Sequence, residues 1–140
     1  ELEVVIAAHP KSNHIEYPEY YGKRQVLRDQ TLPLIKKSKL VISHASTALT
    51  YVILENKPLL FLTSAEYEAD LSYSKFLEMM AHSLGTSLIN IDEEPYSINW
   101  EKELTVNEEM YLKYRHQYIK TAGSDELNTW QTLANRLKKW

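Results

Sequence analysis

Between Lys39 and Thr63 the chain reads Lys39-Leu-Val-Ile-Ser43-His44-Ala-Ser46-Thr47-Ala-Leu-Thr50-Tyr-Val-Ile-Leu-Glu55-Asn-Lys57-Pro58-Leu-Leu-Phe-Leu-Thr63. Two short apolar runs bracket an amphipathic stretch, and that order leaves few folds open. An apolar run without polar alternation suits a strand covered on both faces, and parallel strands need a crossover between them, usually a helix. Strand, polar turn, helix, Lys-Pro break and second strand satisfy both conditions. Where the first strand hands over to the helix stand Ser43, His44, Ser46 and Thr47, all able to donate hydrogen bonds and none acidic. Free N–H groups and the positive end of the helix dipole gather at such a turn, a combination that favours an anion, most often a phosphate.

Four strands are expected in all: Glu3–Ala8, Lys39–Ser43, Leu59–Thr63 and Ser87–Ile91. Helices are predicted between them. Thr31 can cap Leu32–Lys37 with Pro33 in the first turn, and Ser46 can cap Thr47–Glu55, which Asn56 and Pro58 end. Ala65–Leu84 forms the third, carrying Tyr67, Leu71, Phe76, Met79, Met80 and Leu84 and closed by Gly85. This alternation places the chain in the α/β class, as a Rossmann-like open, mostly parallel sheet with helices on both faces. The first three strands are expected at the centre of one sheet.

Beyond Ile91 the pattern changes. Asp92-Glu93-Glu94 reads as a solvated acidic loop, followed by helices over Val106–Thr121 and Asp125–Trp140 separated by Ala122-Gly123-Ser124. Ser124 suits the N-cap of the last helix, and its stripe of Leu127, Trp130, Leu133 and Leu137 predicts a buried face. The two helices are expected to pack back across the sheet. Asn13–Arg28, rich in Tyr, Pro and charge, is the one long irregular stretch, and long loops over strand ends commonly carry function.

Composition removes several classes. With 140 residues, 44% of them hydrophobic, the chain suits one domain spanning 1–140. A formal charge of −3 with scattered basic residues gives no electrostatic case for nucleic acid. Absence of Cys excludes disulfides and thiolate metal sites and fits a reducing, cytoplasmic setting. No apolar run reaches the roughly twenty residues that span a bilayer, and no signal-peptide pattern opens the chain. A strand beginning almost at Glu1 suggests a fragment of a larger protein. None of Gly22, Gly85 and Gly123 forms a dinucleotide or phosphate-loop fingerprint, so no NAD, FAD or Walker-type cofactor is expected. His14, His82 and His116 lack ligand spacing and no Asp-x-Asp pair occurs, so no metal site is expected. No G-x-S-x-G elbow surrounds a serine, which leaves hydrolase chemistry without support.

In an open parallel sheet, ligands bind outside the carboxyl ends of the strands. Those ends carry His9-Pro10, Ser43-His44-Ala45-Ser46-Thr47, Thr63-Ser64 and Asp92-Glu93. Pro10 biases His9 toward extended backbone and fixes the chain's exit from the strand. His9 is thereby a candidate to hydrogen-bond a phosphate oxygen or to act as a proton donor. Ser46 alone would be an ordinary cap. Ser43, Ser46 and Thr47 together, with no capping Asp, favour anion binding.

These segments, in this order, resemble a known family. His9-Pro10, then Ser38-Lys-Leu-Val-Ile-Ser43-His-Ala-Ser46-Thr47, then Asn56-Lys57-Pro58-Leu-Leu-Phe-Leu-Thr63, are similar to the C-terminal, donor-binding half of GT-B glycosyltransferases. The likeness is strongest to bacterial capsule and surface-polysaccharide enzymes with "HP" and "S/T" motifs, including the sialyl- and Kdo-transferase groups, and it covers roughly Val4 to Ser64. It implies that His9, Ser46 and Thr47 hold the phosphate of a nucleotide-sugar donor, with Pro10, Ser43 and His44 beside them and His9 in the catalytic role. Many relatives place a ribose-binding Glu in the helix after the turn. Here that region reads Thr50-Tyr51, with Glu55 near the helix end, which favours a CMP-linked donor. The Asp-Tyr-Ser-Ser turn of teichoic-acid polymerases and the Ser-Gly-Gly of the related epimerases are both absent. The resemblance further implies that a separate N-terminal domain supplies the glycan acceptor and its base. The chain alone would then bind donor weakly and catalyse nothing, while the full-length protein admits peripheral membrane contact. Two other readings remain open, a nucleotide-sugar 2-epimerase-like enzyme and a non-catalytic α/β interaction module.

Overall fold

Every strand pairing in the computed structural model, which describes residues 3–13, 19–93, 97–124 and 127–138, is parallel. β1 (Val5–Ala8) pairs with β2 (Gln25–Arg28) in a two-stranded sheet, Val5 opposite Gln25 and Ala8 opposite Arg28. β3 (Val41–Ser43), β4 (Leu59–Thr63) and β5 (Leu88–Asn90) form a three-stranded sheet in that order. Helices α1 (Thr31–Lys37), α2 (Leu49–Leu54), α3 (Ala65–Ala69) and α4 (Leu71–Leu84) connect the strands from β2 to β5. The α/β class and the Rossmann-like parallel arrangement follow as the sequence predicts.

The single sheet centred on the first three strands does not form. β1 takes its partner from within Asn13–Arg28, read from sequence as irregular, where Val26 and Leu27 lie between polar neighbours. Two apolar residues are too short a signal for periodicity to register, yet they suffice to pair a four-residue strand.

β4 is the centre of the core. Leu59, Leu60, Phe61 and Thr63 are all buried, so both of its faces are covered. Phe61 shares one buried cluster with Leu49, Val52 and Ile53 of α2 and with Leu77, Met80, Ala81 and Leu84 of α4. Gly85 ends α4 in the left-handed region at φ +64°, as its position predicts.

The long helix expected over Ala65–Leu84 is two. Asp70 adopts extended backbone with ψ 101°, and its Oδ1 accepts hydrogen bonds from the Ser72 and Tyr73 N–H groups. A short acidic side chain that satisfies two orphan donors makes a fresh helix start competitive with continuation.

Past β5, α5 (Trp100–Glu103) is a single turn that the sequence pattern misses, capped by Asn99. α6 (Glu108–Tyr114) is capped by Asn107 and runs on as a π-helical turn over Arg115–Ile119, closed by Lys120 N–H donating to Arg115 O. Tyr111 anchors α6: it is buried in the core and its hydroxyl donates to Lys57 O at 3.0 Å.

α7 (Thr129–Leu137) corrects the expectation most sharply. Its cap is Asn128, in a reciprocal capping box with Gln131, and not Ser124, whose hydroxyl donates to Thr121 O. Its apolar stripe is exposed, Trp130 by 78% and Leu137 by 65%. Periodicity finds an apolar face without finding its partner. Asp125 and Glu126 at the start of the expected helix and Lys139 and Trp140 at its end lie outside the described residues, as does Glu94 of the acidic run.

Candidate functional site

Because β3, β4 and β5 are parallel and adjacent, their carboxyl ends share one edge. Ser43 ends β3, Thr63 ends β4 and Asn90 ends β5. Side chains from all three following segments interlock there. Asp92 Oδ2 accepts from the Ala65 N–H at 2.8 Å, and Asn90 Nδ2 donates to Glu68 at 3.0 Å. Asp92 is therefore tied to the start of α3 and is not merely part of a solvated acidic run.

The turn after β3 is held by aromatic residues that sequence reasoning did not single out. Tyr73 OH accepts from the Ala45 N–H at 3.2 Å and lies 3.2 Å from His44 Nδ1. The contact ties the His44 ring to Tyr73 through Nδ1 and leaves Nε2 outside this hydrogen bond. Tyr67 stacks on Tyr73 at 4.9 Å between centroids and on His44 at 5.9 Å. The break at Asp70, which apolar periodicity does not register, sets how α3 and α4 carry Tyr67 and Tyr73 to the β3 turn.

Ser43 donates its hydroxyl to the carbonyl of His44 at 2.9 Å. Ser46 does not cap α2. The helix begins at Leu49 with Ala48 in the cap position, and Ser46 Oγ accepts from the Ala48 N–H at 3.2 Å in a tight turn. A hydroxyl bonded two residues ahead stabilises a turn in place of helix, so the helix starts later than the pattern predicts. Ser46 and Thr47 are exposed and line, with Thr50, Phe76 and Tyr114, a cavity of about 410 Å³.

His9 and Pro10 belong to the other sheet. They begin a turn closed by Ser12 N–H donating to His9 O, in which Pro10 takes the position its fixed φ favours. His9 is exposed, and its Nδ1 accepts from the Lys11 N–H at 3.1 Å. Arg28, at the end of β2, donates to Ser12 O at 2.6 Å and so braces this turn. The structure thus gathers Ser43, His44, Ser46 and Thr47 in one turn on the three-stranded sheet, and His9 with Pro10 in another on the two-stranded sheet.

A larger cavity, about 490 Å³, opens at the opposite, amino ends of β4 and β5, beside Leu59, Thr86, Lys102 and Glu103. Two of its polar residues, Lys102 and Glu103, meet at Ser87. Ser87 donates to the buried Glu103 carboxylate at 2.6 Å, and Lys102 Nζ donates to Ser87 at 2.9 Å. These bonds form a clamp that holds α5 against the start of β5.

Among the described residues no group of three or more His, Cys, Asp or Glu could hold a metal ion, and no helix is long and apolar enough to cross a membrane. No protein-family model, curated protein or solved structure matches this chain.

Proposed function

We propose that this chain is the donor-binding half of a two-domain glycosyltransferase of bacterial surface-polysaccharide synthesis, and that it takes a nucleotide-sugar, preferentially CMP-linked. One observation carries the proposal: the shared carboxyl edge of β3, β4 and β5 presents Ser43, His44, Ser46 and Thr47 in one turn, the last two lining an open cavity, with no acidic side chain in that turn. Ligands of open parallel sheets bind at that edge. The Ser46 and Thr47 hydroxyls and the His44 imidazole would act as donors to the nucleotide phosphate and stabilise the charge that builds on it as the sugar leaves. His9 joins them through the family likeness, as a phosphate contact and proton donor. The CMP preference draws on Glu55, which follows the last helical residue of α2 and pairs with Lys36 at 3.4 Å, so it is committed to α1.

The test is saturation-transfer NMR of the chain with CMP-, UDP- and GDP-sugars. The expected result is transfer to the CMP donor above the other two. Ser46→Ala should weaken binding roughly tenfold to a hundredfold, the worth of one charge-assisted hydrogen bond. Absence of transfer from all three donors, or full binding by a His44→Ala/Ser46→Ala double variant, would overturn the proposal.

A further inference from the structure

α7 presents its apolar side to solvent. Trp130, Leu133 and Leu137 recur at spacings of three and four and share one face with Ala134, while Gln131, Asn135, Arg136 and Lys138 take the other. All three large apolar side chains are exposed, and the only half-buried residue of the helix is Thr132, on the polar side. The fold therefore claims the wrong face for a core helix.

Charge indicates what covers the other. From Leu127 to Trp140 the sequence carries Arg136, Lys138 and Lys139 and no acid. The first 126 residues hold 13 cations against 19 acids, a net −6. A second copy is a poor occupant, since it would set three cations against three. A nine-residue helix, about 13 Å long, also offers far less than the roughly 800 Å² per partner of a stable interface. An amphipathic helix with Trp and Leu on one side and cations flanking them has the properties of an interfacial anchor. Apolar insertion and attraction to anionic headgroups add, and the acidic body is held off the surface.

We propose that α7 docks on an anionic lipid surface, with Trp130, Leu133 and Leu137 in the headgroup–acyl boundary and Arg136 and Lys138 among the lipid phosphates. This docking is independent of the donor site.

Co-sedimentation of the chain with vesicles tests it, comparing phosphatidylcholine alone with phosphatidylcholine mixed with phosphatidylglycerol. The expected result is partition to the mixed vesicles only, falling as salt rises. Leu133→Gln/Leu137→Gln should reduce partition about tenfold or more, and each of Arg136→Gln and Lys138→Gln about fivefold. All four side chains are exposed, so circular dichroism and the melting temperature should not change. Failure of the unaltered chain to bind mixed vesicles would overturn the proposal and leave the face to a protein partner. Equal partition by the double Leu variant would overturn it too, as would self-association that this variant abolishes in a chain that ignores vesicles.

Discussion

Thr63 ends β4 with its side chain 97% buried and with no hydrogen-bond partner for its hydroxyl among the described residues. An unpaired hydroxyl in a dry site costs stability, and an apolar group of the same shape does not. Thr63→Val should therefore raise the unfolding free energy by up to about 1 kcal/mol in urea titrations, whereas a drop of that size would mean the hydroxyl has a bound partner in solution. Tyr111 is the converse, a buried hydroxyl that is paired. Burial holds its ionisation well above the ordinary tyrosine value of about 10. Below that pH the folded and unfolded states both keep the proton. Above it the unfolded chain releases the proton while folded Tyr111 retains it, so stability falls as pH rises. Half-buried Tyr114 shifts the same way, through burial and then through Tyr118. Tyr111→Phe should lose about 1 kcal/mol at neutral pH with the bond to Lys57 O. It should also flatten the alkaline decline, which denaturant midpoints at neutral and alkaline pH will read.

At the scale of elements, the boundaries that matter depend on single residues, and those are where sequence and structure part. Gly85 was legible because a left-handed cap leaves a glycine at a predictable place. It is also packed: a Cβ there would lie 2.6 Å from Met110 Sδ and 2.8 Å from Asn107 Nδ2. Gly85→Ala should cost at least about 1–2 kcal/mol from left-handed strain alone, with the contact to α6 adding more; a melting temperature equal to the parent's would refute this. Asp70 was not legible, because apolar positions recur on both sides of it and periodicity carries no information about a side chain turning back on the backbone. Asp70→Ala removes a cap that serves two N–H groups and should cost about 1–2 kcal/mol. The site divides along the same line. The strand ends, and with them Ser43, His44 and Thr63, could be read from apolar runs. The Tyr67–Tyr73 brace could not, since it depends on how α3 and α4 bend around Asp70. For Ser46 the sequence indicates the segment and not the bond, because a hydroxyl can cap a helix or tighten the turn before it with equal ease.

At the scale of the whole molecule, the two sheets differ in what holds them. β4 is hydrogen-bonded on both sides and buried on both faces, and α2, α4 and α6 all contribute side chains to the core around it. β1 and β2 have one neighbour each, and of their residues only Ala8 is buried. A two-stranded sheet has little stability of its own in water and relies on whatever packs against it. Local opening is governed by buried apolar contact and by how many backbone bonds are sheltered, and both are lower for the smaller sheet. Native-state hydrogen exchange should therefore show the paired amides of β1 and β2 exchanging at least about a hundredfold faster than those of Leu60, Phe61 and Leu62. Opening of the smaller sheet would release the His9–Ser12 turn, which Arg28 of β2 braces, while the Ser43–Thr47 turn stays held by Tyr73. If His9 and Ser46 meet one donor phosphate, that ligand should slow exchange in β1 and β2 more than in β4, because it closes the more mobile part. Equal protection of both sheets without ligand would mean that they unfold as one cooperative unit. Slowing confined to the three-stranded sheet when a donor is bound would remove His9 from the site and leave the phosphate to His44, Ser46 and Thr47.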